Sequence, residues 1–276
     1  MIHQAHHIQP PLDQYIEAIF YFKNFSPEHS IERVVPTGRV FIIFEFDGIT
    51  RGTYDNETLE PKGSFEKVWI AGQHKSYLSI SAHQDSEMLA IQFKPYGAYP
   101  IFHQPMHQFN DQILPAEEVL GQEIINLHAQ LMEVEEAKEK LVGVENWLKQ
   151  RLDQDKSSPP ELILLIENLQ TKAVSELSSL VNQYPKTQKH LIDQFKKFVG
   201  LTPKYFQRIV RFNEILQRIH KNEKIEWSQI AYQCEFADQS HFIKEFKHFS
   251  GINPQKFIKK DLHKGDTNFF KIGPEC

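Results

Sequence analysis

A stretch near the C-terminal end of the chain occurs twice. Phe195-Lys-Lys-Phe-Val-Gly-Leu-Thr-Pro-Lys-Tyr-Phe206 returns 51 residues later as Phe246-Lys-His-Phe-Ser-Gly-Ile-Asn-Pro-Gln-Lys-Phe257. Phe, Lys, Phe, Gly, Pro and Phe are identical at matched positions, and His190 precedes the first copy as His241 precedes the second. A helical unit repeated at this period is one supersecondary motif used twice. Each copy reads as a helix-turn-helix, and two such units on one chain point to DNA.

The charge distribution agrees once the chain is divided. The net charge is −5. Residues 1–160 hold 13 Lys and Arg against 23 Asp and Glu, whereas residues 161–276 hold 18 against 13. The half with the repeat is therefore basic, as a nucleic-acid face requires. At 276 residues the chain exceeds one ordinary core, so two domains are expected. Two cysteines, Cys234 and Cys276, make no disulfide framework. The opening residues do not read as a signal peptide, and no apolar run has the length to cross a bilayer, so a cytoplasmic location without membrane contact is expected.

Three segments follow from the patterning. Up to about Phe109 the chain is rich in strand signals: Val40–Phe46, Val68–Ala71, Leu78–Ile80 and Glu87–Phe93, punctuated by glycine and proline. These predict an antiparallel sheet or small barrel. From Ala116 to Leu152 the spacing of Leu127, Leu131, Val134, Leu141 and Leu148 predicts helix, with Glu133–Lys140 as a charged exposed face. Asp153-Gln-Asp-Lys-Ser-Ser-Pro-Pro160 reads as a linker. The fold class is thus α+β: a β-rich domain with following helices at 1–152, a linker at 153–160, and an all-helical domain at 161–276.

In that last domain the first unit runs from about Val174 to Val199, turning near Gln183–Lys186, with Thr187 as N-cap. In the second, Ile230-Ala231 lies on the packing helix, Glu235-Phe-Ala237 makes the turn, and Asp238 caps the following helix. Phe206, Ile209, Phe212, Leu216 and Ile219 predict one connecting helix from Lys204 to about Lys221. About 17 residues span roughly 26 Å, close to the advance of about 34 Å between major grooves on one face of DNA. Leu191, Phe195 and Phe198, and likewise Phe242, Phe246 and Phe249, belong to the core. The opposite faces carry Gln188, Lys189, Ile192, Asp193 and Lys196 in unit one, and Gln239, Ser240, His241, Ile243 and Lys244 in unit two. Gln suits adenine, Lys guanine, and Ile a thymine methyl, while Asp193 accepts only from cytosine. A solvated helix face is the plain alternative for any one of them. Arg208 and Arg211 either hold phosphates or close the interface between units.

Residues 230–254 follow the second-unit signature of the AraC/XylS family of transcriptional regulators, and Gly200–Phe212 resembles the end of that family's first unit and the start of its connecting helix. The resemblance covers about the last 100 residues. It implies base-reading positions at Lys189, Ile192 and Asp193, and at Ser240, His241, Ile243 and Lys244. Pro185 and Glu235 stand where the family's turn glycines are usual, and Val181 replaces an alanine. Proline cannot take a positive φ, so the first turn must follow another path. With Ile192 and Asp193 as weak readers, unit two is expected to carry more of the specificity.

Glu32–Phe44 and Phe93–Phe102 are similar to a β-rich domain often found ahead of such DNA-binding domains; in relatives a cupin-like barrel there binds a small effector or mediates dimerisation. The expected partners are double-stranded DNA at a promoter site, a small-molecule effector, a second copy of the chain and, for an activator, RNA polymerase. An N-terminal module that only dimerises is the main alternative. No cofactor, metal or enzymatic activity is expected: Pro105 interrupts the His103/His107 pair, and no nucleophile–base arrangement appears. A fusion with a DNA-repair enzyme would need a nucleophilic cysteine in a catalytic domain, and Cys234 and Cys276 are poorly placed for it.

Overall fold

The computed structural model describes residues 2–171, 177–221, 227, 236, 238–259 and 268–272. The N-terminal half is built on two antiparallel sheets. The larger holds β1 (Ile2–Ala5), β2 (Ile16–Phe25), β9 (Ser86–Phe93), β4 (Phe41–Glu45), β7 (Val68–Ala71) and β10 (Ile113–Pro115) in that spatial order. The smaller holds β11 (Phe269–Lys271), β3 (Ile31–Val34), β8 (Leu78–Ser81), β5 (Arg51–Tyr54) and β6 (Pro61–Phe65). The strands predicted at 40–46, 68–71, 78–80 and 87–93 correspond to β4, β7, β8 and β9.

Strand β4 is apolar at nearly every position because both of its faces are covered. Ile42 and Phe44 join a core with Ile70, Leu89 and Ile91 and with helices α2 (Ala116–Leu120), α3 (Gln122–Met132) and α4 (Ala137–Arg151). Ile43 turns the other way, into a smaller cluster with Phe65, Trp69 and Ala90. Glu45 lies on this inner face, taking Arg51 Nη2 at 2.8 Å and Trp69 Nε1 at 3.0 Å. Arg51 comes from the opposite sheet, so one buried ion pair links the two layers.

The helical stretch expected between 116 and 152 is divided. Gly121, at φ +77°, separates α2 from α3, and residues 133–136 connect α3 to α4. The expectation that 133–140 is a uniformly exposed charged face also needs correction at Lys140. This residue is only 3% exposed: its ammonium donates to Leu131 O at 2.5 Å, near the end of α3, and lies 4.2 Å from the Phe46 ring centroid. A helix C-terminus offers unpaired carbonyls and negative potential, which together offset burial of the charge. A short helix α1 (Tyr99–Phe102) completes this half.

Residues 153–160 lie against the N-terminal half. Tyr15 OH is 2.6 Å from Ser157 Oγ, and Asp153 N–H donates to Pro100 O. Beyond them come α5 (Pro160–Thr171), α6 (Leu177–Asn182), α7 (Gln188–Phe198), α8 (Pro203–Lys221), α9 (Gln239–Ser250) and α10 (Pro254–Lys259). A second core gathers Leu162, Leu169, Leu191, Phe195, Phe206, Phe212, Phe242 and Phe246, and it admits Val35 and Tyr96 from the N-terminal half. The C-terminal segment is not all-helical as expected, since β11 returns to pair with β3. A three-residue strand has little intrinsic signal; it forms because β3 offers an edge and Phe270 can be buried against Phe257.

Candidate nucleic-acid interface

Helices α7 and α9, which carry the candidate base-reading residues, both begin with a side-chain cap. Thr187 Oγ1 accepts from His190 N–H at 3.2 Å at the start of α7, and Asp238 Oδ1 accepts from His241 N–H at 2.7 Å at the start of α9. Such caps satisfy backbone donors that the first turn leaves open. Each helix then buries one apolar stripe: Leu191, Phe195 and Phe198 in α7, and Phe242, Phe246 and Phe249 in α9. The opposite faces are presented outward. Gln188, Lys189, Asp193 and Lys196 are exposed on α7, with Ile192 half-buried. Gln239, Ser240, His241 and Lys244 are exposed on α9, and Ile243 is half-buried beside the core.

The repeat's two histidines differ. His190 is half-buried, 3.2 Å from Tyr184 OH, whereas His241 is exposed with its ring edge-on to Phe236. The turn holding Pro185 contains no residue at positive φ, so the chain does bend there without a left-handed residue. The start of the first unit near Val174, the second unit's packing-helix residues Ile230, Ala231 and Cys234, its turn residues Glu235 and Ala237, and Cys276 lie outside the described residues.

The connecting helix α8 has 19 residues, or about 28 Å. Arg208 on α8 meets Glu245 on α9 through two hydrogen bonds, at 2.6 and 2.9 Å, and stacks over Tyr205 and Phe249. The hydrogen bonds to Glu245 hold its guanidinium above the usual arginine range. Of the two roles open to Arg208, closing the interface is the one its contacts fill. Arg211 lies over Phe236 at 5.5 Å, with its Nε buried. Glu245 was not legible as a partner, because 37 residues separate it from Arg208 and neither residue lies in a shared pattern.

In the N-terminal half, β5 and β8 pair at Thr53 and Tyr54, while Gly52 N–H donates instead to Ser81 Oγ at 2.8 Å. A shallow cleft of about 200 Å³ opens there, lined by Arg51, Thr53, Ser64, Ser81 and His83 among others. Burial and the nearby Arg51 charge hold His83 below the ordinary imidazole value. His103 ends α1 with Nε2 2.9 Å from Pro100 O, and His107 lies in a separate 3-10 turn at Met106–Phe109. Among the described residues no group of three or more His, Cys, Asp or Glu could hold a metal ion. No helix among them is long and apolar enough to cross a membrane.

Compared with known families, residues 180–260 match a helix-turn-helix domain and residues 4–115 match a domain of unknown function. No curated protein matches the chain. Among solved structures, ToxT from Vibrio cholerae is similar at 11% identity and a TM-score of 0.44, covering 94% of this chain and 98% of that one. A second ToxT structure, with unsaturated fatty acid bound, gives 12% identity and a TM-score of 0.43, covering 87% and 93%. The chain thus carries an AraC-type helix-turn-helix domain at residues 180–260, behind a β-rich domain of unknown function.

Proposed function

We propose that the chain is a sequence-specific transcriptional regulator whose helices α7 and α9 enter two successive major grooves of a promoter site, under control of a small effector bound by the N-terminal domain. One observation carries the first part: two capped helices, equivalent in the repeat, bury their apolar stripes and present polar faces. Lys189 and Lys196 in α7, and Lys244 in α9, supply cations on those faces. Phosphate neutralisation supplies affinity, and the side chains at base edges supply preference. Unit two is the stronger reader in this scheme, because Ser240, His241 and Lys244 are all exposed where unit one has Asp193 and a half-buried Ile192. The effector reading draws support from the polar cleft beside Arg51 and His83 and from half-exposed apolar residues, Phe20, Phe41 and Met88, packed around the inner cluster of the two sheets.

Selection of bound duplexes from a random pool by the full-length chain tests the DNA reading. Two half-sites about one helical turn apart are expected, with binding that weakens steeply as salt rises. Binding no tighter to selected than to random fragments would sink it. For the effector, thermal-shift screening of small molecules is the direct measurement, since a ligand of the folded state raises the melting temperature by linkage. A chain that dimerises through this domain while no ligand shifts it would replace the sensing role with an assembly role.

A further inference from the structure

One matched pair in the repeat, Gly200 and Gly251, has no part in reading DNA. Each follows a recognition helix and takes a left-handed conformation, with φ +93° and +69°. Each closes its helix through its own N–H, Gly200 to Phe195 O and Lys196 O, and Gly251 to Lys247 O. Their carbonyls share a second property: each is held by one side chain of the N-terminal domain. Asn110 Nδ2 donates to Gly200 O at 2.6 Å, and Arg33 Nη1 donates to Gly251 O at 3.2 Å. The two donors come from separate places, one just past the 3-10 turn at 106–109 and the other within β3.

Both contacts are close-fitting. A Cβ on Gly200 would lie 2.8 Å from Asn110 Oδ1, and one on Gly251 would lie 2.5 Å from the Tyr77 ring. The connecting helix is held between these points, where Asn213 Nδ2 donates to Pro36 O at 2.9 Å and Phe206 packs on Gly38. Strand β3 is flanked on both sides, and in its pairing with β11 Arg33 stands opposite Phe270. The end of the chain thus braces the strand that grips the second unit.

We infer that the N-terminal domain is a two-point clamp that fixes the separation and relative orientation of α7 and α9, so that Asn110 and Arg33 set the half-site spacing the chain accepts without touching DNA. The inference rests on the DNA reading of these helices. Two linked readers bind together only as well as their link fits the span between sites, and a stiff link confines strong binding to one spacing. A connecting helix alone still bends and twists. Anchors at the equivalent far corners of both units suppress those motions.

The test uses the full-length chain with Asn110→Ala and Arg33→Met, singly and together; the methionine keeps the apolar stem and removes the donors. Affinity is measured on duplexes whose two half-sites are fixed and whose separation is stepped by single base pairs. For the unaltered chain a loss on the order of tenfold is expected two base pairs from the optimum. For the double variant the profile flattens to about threefold or less, while affinity for a lone half-site is retained. An unchanged spacing profile overturns the clamp. A second measurement needs no DNA: spin labels on Lys189→Cys and Lys244→Cys, with Cys234 and Cys276 changed to serine, report the distance between the helices. A narrow distribution that broadens in either single variant supports the clamp, and an unchanged one overturns it. A clamp seen in the distances together with no preference among duplexes overturns the DNA reading, and the spacing role with it.

Discussion

Lys244 and Arg208 both bring positive charge to the second unit, and their neighbours decide what each can do. Lys244 is exposed on the outer face of α9, on the same side as Ser240 and His241. Arg208 is tied to Glu245 by two hydrogen bonds and covered by two aromatic rings. Lys244→Ala should therefore weaken specific binding by about 1–3 kcal/mol if the lysine reads guanine, and relax the preference at one base pair. Competition with single-base variants of the selected site measures both effects. Arg208→Ala should behave differently. It leaves Glu245 without its partner, so the melting temperature falls, while the slope of log affinity against log salt stays within error of the unaltered chain. A slope reduced by about 1 would instead make Arg208 a phosphate contact. His190 and His241 show the same dependence on surroundings: one is engaged by Tyr184 and the other is exposed. Sequence equivalence fixed their places on the helices but left their availability to the neighbours.

Among the elements, β11 does most to join the two halves for its length. Phe270 is 1% exposed and packs edge-on to Phe257, while Val35 N–H donates to Asn268 O and Ile272 N–H to Ile31 O. Phe270→Ala should cost about 3–5 kcal/mol, as for large-to-small changes at buried aromatics. Chemical denaturation checks this, and a loss below about 1 kcal/mol would mean that the strand is not held as described. No reading of the sequence could have found β11, because its partner lies more than two hundred residues away and three residues carry no periodicity. Helices α7, α8 and α9 were legible for the opposite reason: each repeats apolar residues at three- and four-residue intervals, and the 51-residue repeat aligned two of them. Strands β4, β7, β8 and β9 stood out as apolar runs. The longest strand, β2, did not, because Glu17, Lys23 and Asn24 break its pattern and two register shifts interrupt its pairing with β9. Polar, glycine-bearing β5 and β6 were hidden by composition. The N-terminal handles on the DNA-binding domain, Asn110 and Arg33, were illegible in the same way, since each acts on a backbone carbonyl and leaves no side-chain pattern.

At the scale of the whole molecule the two cores meet along a seam, and the protonation state of buried histidines bears on both. His128 stacks on Phe46, and its Nε2 is 2.7 Å from Glu45 O; burial holds it below the ordinary imidazole value of 6.5, against the pull of that hydrogen bond. His74 is also lowered by burial, opposed by Asp111, and it sits beside Lys75, whose carbonyl accepts from Tyr205 OH across the seam. A histidine with a lowered folded-state pKa binds fewer protons folded than unfolded in the window just below 6.5. Stability therefore rises with pH through that window and is lost as pH falls through it. Glu45 acts in the opposite sense: burial raises it above 4.5, so in the window above that value the folded state binds the extra proton and gains on acidification. Three lowered histidines, His83 among them, against one raised carboxyl leave the histidine direction dominant nearer neutral pH. The melting temperature of the full chain should fall between pH 7 and pH 5, by about 2–4 °C for each kcal/mol lost. In His128→Gln, whose amide can still donate to Glu45 O but cannot take up a proton, the fall should be shallower. Equal slopes in the two proteins would show that His128 is not held neutral in the fold, and that acid enters the molecule elsewhere.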